Sequence, residues 1–241
     1  MYCDIHNHII FGVDDGPQTL DESIQLIQQA QTQNISHIIA TPHINHRQFD
    51  TTQAGIKQNF YIVKNELEKR KIDVSLSLSQ ELTLSVDLFE KYPASVLIPI
   101  KDNQKNCYFL IEITTLAIPY YFEDTLNYLQ QHELNCIWAH PERNLAVQSN
   151  WKIVKKIKER SNLMIQVTAG SLLGDFGKKV EKVSWKLLKK GLVDLVASDA
   201  HHVSSRPFQL DEAMALISSR VKNEAYQRIV NNMNVLKGAS Y

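Results

Sequence analysis

His6 and His8 stand two residues apart in Asp4-Ile5-His6-Asn7-His8, on a short apolar run. In a β-strand alternate side chains share a face, so both imidazoles would point at one site. Two imidazoles on one face are half of a metal centre. The other half can be sought among polar residues at the ends of further apolar runs. Asp14 and Asp15 follow beyond a short loop. His43 closes Ala40-Thr41-Pro42-His43, Glu81 ends a Ser/Leu alternation, and Glu112 sits among Leu110, Ile111 and Ile113. His140 lies in Ala139-His140-Pro141-Glu142-Arg143, and Asp199 and His201 lie in Ala197-Ser198-Asp199-Ala200-His201. Nitrogen and carboxylate donors without thiolate suit Zn²⁺, Mn²⁺ or Fe. About nine donors are too many for one ion, but with bridging carboxylates they fit two or three ions roughly 3.5–4 Å apart.

Each piece also has a plainer reading. A His-x-His pair is often two satisfied histidines. Glu112 in an apolar strand needs a cation or a proton, and a buried arginine would serve as well. Asp199 could cap a following helix, and Asp14-Asp15-Gly16-Pro17 could be only a turn. All of these holding at once, each at the same end of its strand, is improbable. Arg143 and Arg206 fall in the same loops as the candidate ligands. A guanidinium fork beside a metal cluster suits a phosphate or carboxylate oxygen pair; the alternative is an ion pair with Glu142 or Asp211. His37, His132, His46 and His202 get structural readings, although His46 and Arg47 lie close enough to His43 to touch a substrate.

The elements that would position these residues follow from periodicity. Period-2 or continuous apolar runs predict strands at 2–5, 36–40, 74–79, 107–113, 135–139, 163–167 and 192–197. Helical spacing predicts helices at 19–33, 53–71, 122–131, 151–160, 178–190, 208–219 and 223–232, the first with Thr19 and Glu22 placed as a capping box. Seven β-then-α units predict a parallel α/β sheet closed or nearly closed into a barrel, here a distorted TIM-like (β/α)7 barrel with outer helices. No composition break divides the chain, so one domain over 1–241 is expected. Residues 84–106 and 168–177 are the least regular, the former read as an insertion near the site mouth. In such barrels the site gathers at the C-terminal strand ends, where the candidate ligands fall.

Bulk properties narrow the function classes. The 241 residues carry 26 Lys+Arg against 26 Asp+Glu, and 44% are hydrophobic. A balanced charge gives no long-range pull toward nucleic acid or anionic membrane. Cys3, Cys107 and Cys136 are an odd set without metal-type spacing, which fits a reducing compartment. With no signal-peptide or membrane-spanning pattern, a soluble cytoplasmic protein is expected. No Walker loop and no Gly-x-Ser-x-Gly elbow occur. Cys136 precedes Arg143 by seven residues, not the six of a Cys-(x)5-Arg phosphatase loop, so phosphatase chemistry here would rest on metals.

The motifs His6-Asn7-His8, Thr41-Pro42-His43, Glu81, His140 and Ser198-Asp199-Ala200-His201 resemble those of the polymerase-and-histidinol-phosphatase (PHP) superfamily. The stretches Asp4 through Pro17, Ala139 through Arg143, Gln166 through Ser171 and Ser198 through Pro207 resemble, more narrowly, the bacterial PHP-type protein-tyrosine phosphatases of capsule and exopolysaccharide loci. The resemblance spans essentially the whole chain and implies a trinuclear centre, usually of manganese, with Fe, Zn or Mg as alternatives. It implies His6, His8 and Asp199 on one ion, Glu112 and His140 on a second, Asp15, His43 and His201 on the third, and Glu81 bridging. Asp15 rather than Asp14 is then the ligand. Arg143 and Arg206 would bind phosphate, and His43 or His201 would stand beside the leaving oxygen. The implied reaction is hydrolysis of phosphotyrosine by a metal-activated hydroxide, on the tyrosine-rich tail of a polysaccharide-synthesis kinase. A histidinol-phosphate-like phosphomonoesterase and a PHP nuclease are the alternatives.

Overall fold

In the computed structural model, which describes residues 1–238, the chain forms two sets of parallel strands wrapped by helices. Residues 239–241, the last of the expected domain, lie outside the described residues. Strands β1 (Tyr2–Asp4), β2 (Ile35–Ala40) and β4 (Ser75–Leu78) form one sheet in the order β1-β2-β4. The other holds β3 (His43–Ile44), β5 (Glu81–Thr83), β7 (Cys107–Glu112), β8 (Leu134–Ala139), β9 (Leu163–Thr168) and β10 (Leu195–Ala197), in the order β10-β9-β8-β7-β5-β3. A short β6 (Ile100–Lys101) pairs antiparallel with β7.

The chain that makes β2 continues into β3, and the chain that makes β4 continues into β5. Between the halves lie Thr41-Pro42 and Ser79-Gln80. Pro42 has no N–H to give a ladder, so the run breaks there. Pairing carries on across the break, because Ser79 N–H donates to Ala40 O at 2.8 Å and Glu81 N–H to Pro42 O at 3.1 Å. The two sheets are therefore one barrel wall with an offset in it, and this is the distortion of the expected (β/α)7 form.

β10 and β1 form no strand ladder. They meet through the residues just beyond them. Asp199 N–H donates to His6 O at 2.8 Å, and His8 N–H donates to Ala200 O at 2.8 Å. On its other side Asn7 O accepts Thr41 N–H at 3.0 Å. Asp4, fully buried, ties the seam: its carboxylate accepts the N–H of Ser198 at 2.9 Å, of His6 at 3.0 Å and the Asn7 amide at 3.2 Å. The first and last strands are neighbours, as ligands shared between His6, His8 and Asp199 require.

The seven expected helices form within a few residues of where the periodicity places them. Three short α-helices, at Leu88–Lys91, Leu145–Ser149 and Ala169–Leu173, are unexpected. In α1 (Leu20–Thr32) the Thr19 hydroxyl accepts Glu22 N–H while the Glu22 carboxylate accepts Thr19 N–H, which is the reciprocal capping box. Ile24, Ile27 and Ala30 face the sheet. Next come α2 (Gln53–Arg70), which buries Ile56, Phe60, Val63 and Leu67, and α4 (Phe122–Gln131), with the one-turn α3 (Leu88–Lys91) between them. After β8 follow a 3₁₀ turn (Pro141–Arg143), α5 (Leu145–Ser149) and α6 (Lys152–Lys158). α7 (Ala169–Leu173) and α8 (Lys178–Lys189) follow β9, and α9 (Leu210–Arg220) and α10 (Asn223–Val235) close the chain. All these inner faces share one apolar cluster. Residues 84–106 leave the C-terminal end of β5 beside the site, where Leu84 N–H bonds Glu112 O. They cross over through α3 and β6 to the N-terminal end of β7, with Ile98 N–H bonding the Gln80 side chain on the way.

Replacing Asp4 by Ala leaves several buried donors at the seam without an acceptor. The expected result is a loss of about 3 kcal/mol in unfolding free energy, read by urea denaturation of metal-stripped protein. A loss below about 1 kcal/mol would show that the seam is held by the backbone bonds alone.

Candidate metal centre

Glu112 ends β7. His6 and His8 follow the end of β1, His140 that of β8, and Asp199 and His201 that of β10. His43 and Glu81 open β3 and β5, just past β2 and β4, and Asp15 comes from the loop after β1. The barrel brings them together. Glu81 is at the middle, 1% exposed. Its Oε1 lies 3.1 Å from His6 Nε2 and 3.0 Å from His140 Nε2; its Oε2 lies 3.2 Å from both His8 Nε2 and His43 Nδ1. Glu112 adds a second carboxylate, 3.5 Å from His43 Nδ1 and 4.0 Å from His140 Nε2. Asp199 Oδ1 is 3.5 Å from His6 Nε2 and 3.6 Å from His8 Nε2. Asp15 lies toward solvent, 3.3 Å from His201 Nε2 and 3.7 Å from His43 Nε2. His140 and Asp199 both hold left-handed backbone conformations, at φ 35° and 54°. Non-glycine residues at such angles are strained, and strain of this kind collects at functional sites.

The outward nitrogens decide which ring atoms face inward. His6 Nδ1 bonds Gln166 Oε1 at 2.9 Å, and His8 Nδ1 bonds Asp14 Oδ2 at 2.8 Å. His201 Nδ1 bonds its neighbour's carbonyl, Asp199 O, at 2.9 Å. A ring that donates from Nδ1 to an acceptor carries its lone pair on Nε2. The Nε2 atoms of His6 and His8 and Nδ1 of His43 are buried with no hydrogen-bond partner, although carboxylate oxygens stand 3.1–3.2 Å away. Burial opposes the charged form of the His6 and His8 rings, but the facing carboxylates favour it and prevail. A cation between imidazole nitrogen and carboxylate oxygen would supply that positive charge in place of the proton. The outer partners are those that orient metal-ligating imidazoles. The residues therefore fit the implied metal.

Several ligand groups have donor atoms that converge closely enough for one ion. They are His8, Asp15, His43 and His201; His6, His8 and Glu81; His6, His140 and Asp199; and Glu81, Glu112 and His140. His6 thus shares a group with His140 and Asp199, and His8 leans to the outer group, its ring stacked on His201 at 3.9 Å. A further group joins His43, His46 and Glu112.

Both arginines reach the same atom. Arg143 Nη2 is 2.5 Å and Arg206 Nη2 2.7 Å from Asp199 Oδ2, and Arg143 also donates to Thr168 Oγ1 at 3.0 Å. Neither pairs with Glu142 or Asp211 in this way. Asp199 therefore turns one oxygen to the imidazoles and the other to two guanidinium groups.

Sequence reasoning left Asp14 open between turn and ligand. It is buried behind His8, accepting from the His8 ring, His43 N–H and Gly16 N–H. Gln166 and Asp4 went unnoticed as site residues. Gln166 carried the same signal as Glu112, a polar side chain in an otherwise apolar strand. His37, His132 and His202 bond to Ser77, Tyr128 and Ser204, as structural histidines do. His46 does not fit that reading, since its ring stacks on His43 at 4.6 Å.

The family described as capsular polysaccharide synthesis, CpsB/CapC, matches residues 2–237 of this chain. The chain belongs to the CpsB/CapC family. CapC of Staphylococcus aureus is 37% identical over 209 residues, which cover 87% of this chain and 80% of that one. The tyrosine-protein phosphatase YwqE of Bacillus subtilis is 30% identical over 233 residues, covering 97% and 90%. Among solved structures, a chain from the metal-dependent tyrosine phosphatases YwqE of Bacillus subtilis and CpsB of Streptococcus pneumoniae superposes with a TM-score of 0.88 at 30% identity, over 96% of this chain and 92% of its own. A histidinol phosphate phosphatase of Lactococcus lactis shares the fold, with a TM-score of 0.58 at 12% identity over 91% and 93%. A metal-dependent relative this similar accords with the cation fit of the CpsB/CapC centre described above.

Burial raises the Glu112 carboxyl first, and the charge of Glu81 raises it further, to about 8 from an ordinary 4.5. A carboxyl raised in the folded state stabilises the fold below its ordinary value, and that contribution is lost as pH rises through the folded value. In metal-free protein Glu112→Gln, which cannot ionise, should gain stability relative to the parent as pH climbs from about 5 to about 9. With Mn²⁺ added the order should reverse, because the parent keeps a ligand the variant lacks. Thermal unfolding across pH with and without Mn²⁺ reads both; a difference that is flat with pH refutes the burial account.

Proposed function

We propose that this chain is a metal-dependent protein-tyrosine phosphatase, with residues 1–241 acting as one PHP-type domain. The observation that carries the reading is the convergence of Arg143 and Arg206 on the outer oxygen of Asp199, whose inner oxygen faces the imidazole and carboxylate cluster. Two guanidinium forks at the lip of a cation centre suit a dianionic group with several oxygens, such as a phosphomonoester. Membership of a capsular-polysaccharide family whose named relatives are tyrosine-protein phosphatases selects phosphotyrosine among phosphomonoesters.

His6, His8, Asp15, His43, Glu81, Glu112, His140, Asp199 and His201 would hold three ions, manganese by preference. Bound, these ions supply Lewis acidity to the phosphate and bring water near neutral pKa. The remaining tasks fall to the chain. Arg143 and Arg206 transfer part of their pairing from Asp199 to the equatorial phosphate oxygens and stabilise the charge that grows there. Burial lowers His43 to about 4 and also lowers His201, so both rings are neutral near pH 7 and serve as ligands rather than acids. A tyrosine phenolate, with a pKa of about 10, leaves without strong protonation. Cys136 is buried and its thiol is pushed up by burial, which leaves no thiolate for a covalent route.

The phosphoprotein substrate fits best as the tyrosine-rich tail of a polysaccharide-synthesis kinase, a reading that rests on the family. No helix among the described residues is long and apolar enough to cross a membrane.

The test is hydrolysis of a phosphotyrosine peptide. Chelation should abolish it and Mn²⁺ should restore it; turnover that survives full metal removal sinks the mechanism. Cys136→Ala should retain activity, whereas a dead Cys136→Ala protein with its metals still bound would require a thiol route. Arg143→Ala and Arg206→Ala should each lose about 10²–10³-fold in kcat while keeping their metal content.

A further inference from the structure

Phe176 lies outside every role assigned so far. It belongs to the loop between α7 and α8, and it is one of few large apolar side chains left exposed, at 37%. Its ring lies 3.9 Å from Cζ of Arg143, face to guanidinium. Scattered exposed apolar residues need no explanation, but this one is held in place. Gly174 N–H and Asp175 N–H both donate to Gly170 O at 3.0 Å, folding the loop back on the first turn of α7. The fold is close enough that a Cβ on Gly170 would meet Phe176 Cε2 at 3.3 Å and Asp175 Oδ2 at 2.9 Å. Gly174 and Gly177, at φ 99° and 87°, supply the left-handed backbone the turn needs. A rigid, half-open aromatic ring is thus fixed beside one of the two phosphate-seeking arginines.

Aromatic rings also stand beside His43. His46 stacks on His43 at 4.6 Å and Phe49 on His46 at 4.6 Å. A phosphoryl group held at Arg143 lies next to Phe176, whose ring packs on that guanidinium and remains 37% exposed, so the ring is within reach of the ester group the phosphate carries. An aryl ring there would gain an aromatic contact, while the short alkyl chain of phosphoserine or phosphothreonine would leave Phe176 in water.

We propose that Phe176 is a specificity-determining residue that forms the wall against which the aryl ring of the substrate packs. The inference rests on the phosphotyrosine reading and extends it to one side chain. Arg143 gains as well, since its guanidinium face is covered by the ring and its edge is left to Asp199, Thr168 and the phosphate.

Two phosphonates separate this from a purely structural role. Benzylphosphonate matches an aryl phosphate with methylene in place of the ester oxygen, and methylphosphonate lacks the ring. Their affinities for Mn²⁺-loaded protein, by titration calorimetry, should differ by about tenfold in favour of the benzyl compound. In Phe176→Ala that ratio should fall toward one while methylphosphonate binding stays within about twofold; Phe176→Tyr should keep the ratio. Phe176→Leu, which keeps apolar bulk, serves if the Ala variant fails to fold, and should lose most of the preference. The inference is overturned if the parent shows no benzyl preference, if the preference survives loss of the ring, or if both ligands weaken equally, which would leave Phe176 a positioning residue for Arg143. Phosphotyrosine-peptide turnover by the parent is read separately. No turnover with an intact benzyl preference would overturn the phosphatase reading alone, and turnover without the preference would overturn only the role of Phe176.

Discussion

A single buried carboxylate organises this protein. Glu81 meets imidazoles from His6, His8, His43 and His140 at 3.0–3.2 Å, carried by three different segments of the barrel wall. Burial by itself would raise its pKa; His6 and His43 overcome that and hold it well below the ordinary range. An ionised carboxylate in the interior is tolerated only with compensating partners on all sides. The strand ends must therefore converge on Glu81 from several directions, which an open sheet does not supply and a nearly closed barrel does. The break at Ser79-Gln80 belongs to the same constraint, since it sets β5 in register with β3 and β7 and brings Glu81 opposite His43 and Leu110.

The seam of the barrel and the start of the site are the same residues. His6-Asn7-His8 lends its backbone to bridge the first and last strands and its two imidazoles to the centre. Folding and ligand assembly are coupled here, because a chain that has not closed has not yet brought Asp199 to His6. The left-handed turns at His140 and Asp199 place strain at this rim, where the surrounding bonds hold it.

Charge is graded across the site. The imidazoles of His6 and His8 are fully buried behind Glu81, while Asp15 and the two arginines stand nearer to solvent. Asp199 divides the two zones, one oxygen facing each. Such a gradient leaves the two guanidinium groups on the side nearer to solvent, with side-chain exposures of 15% for Arg143 and 31% for Arg206.

The ligand types and their places at strand ends were legible from local patterns. Period-2 runs, apolar helix spacing and the Thr19–Glu22 capping box are short-range signals, and they located the longer helices and strands to within a few residues but not the short ones at Leu88–Lys91, Ile100–Lys101, Leu145–Ser149 and Ala169–Leu173. Glu112 and Gln166 stood out as polar interruptions of apolar strands, though only Glu112 drew notice. Pairing over long sequence distances was not legible. Whether Asp14 or Asp15 faces the centre depends on a turn whose outcome is set by His8 and His43. The split of two strands into β2/β3 and β4/β5 depends on neighbours some forty residues apart. The residues that seek a cation are named by their own chemistry, whereas which nitrogen faces the cluster, and that both arginines meet Asp199, is decided only when the barrel closes and brings distant strand ends into contact.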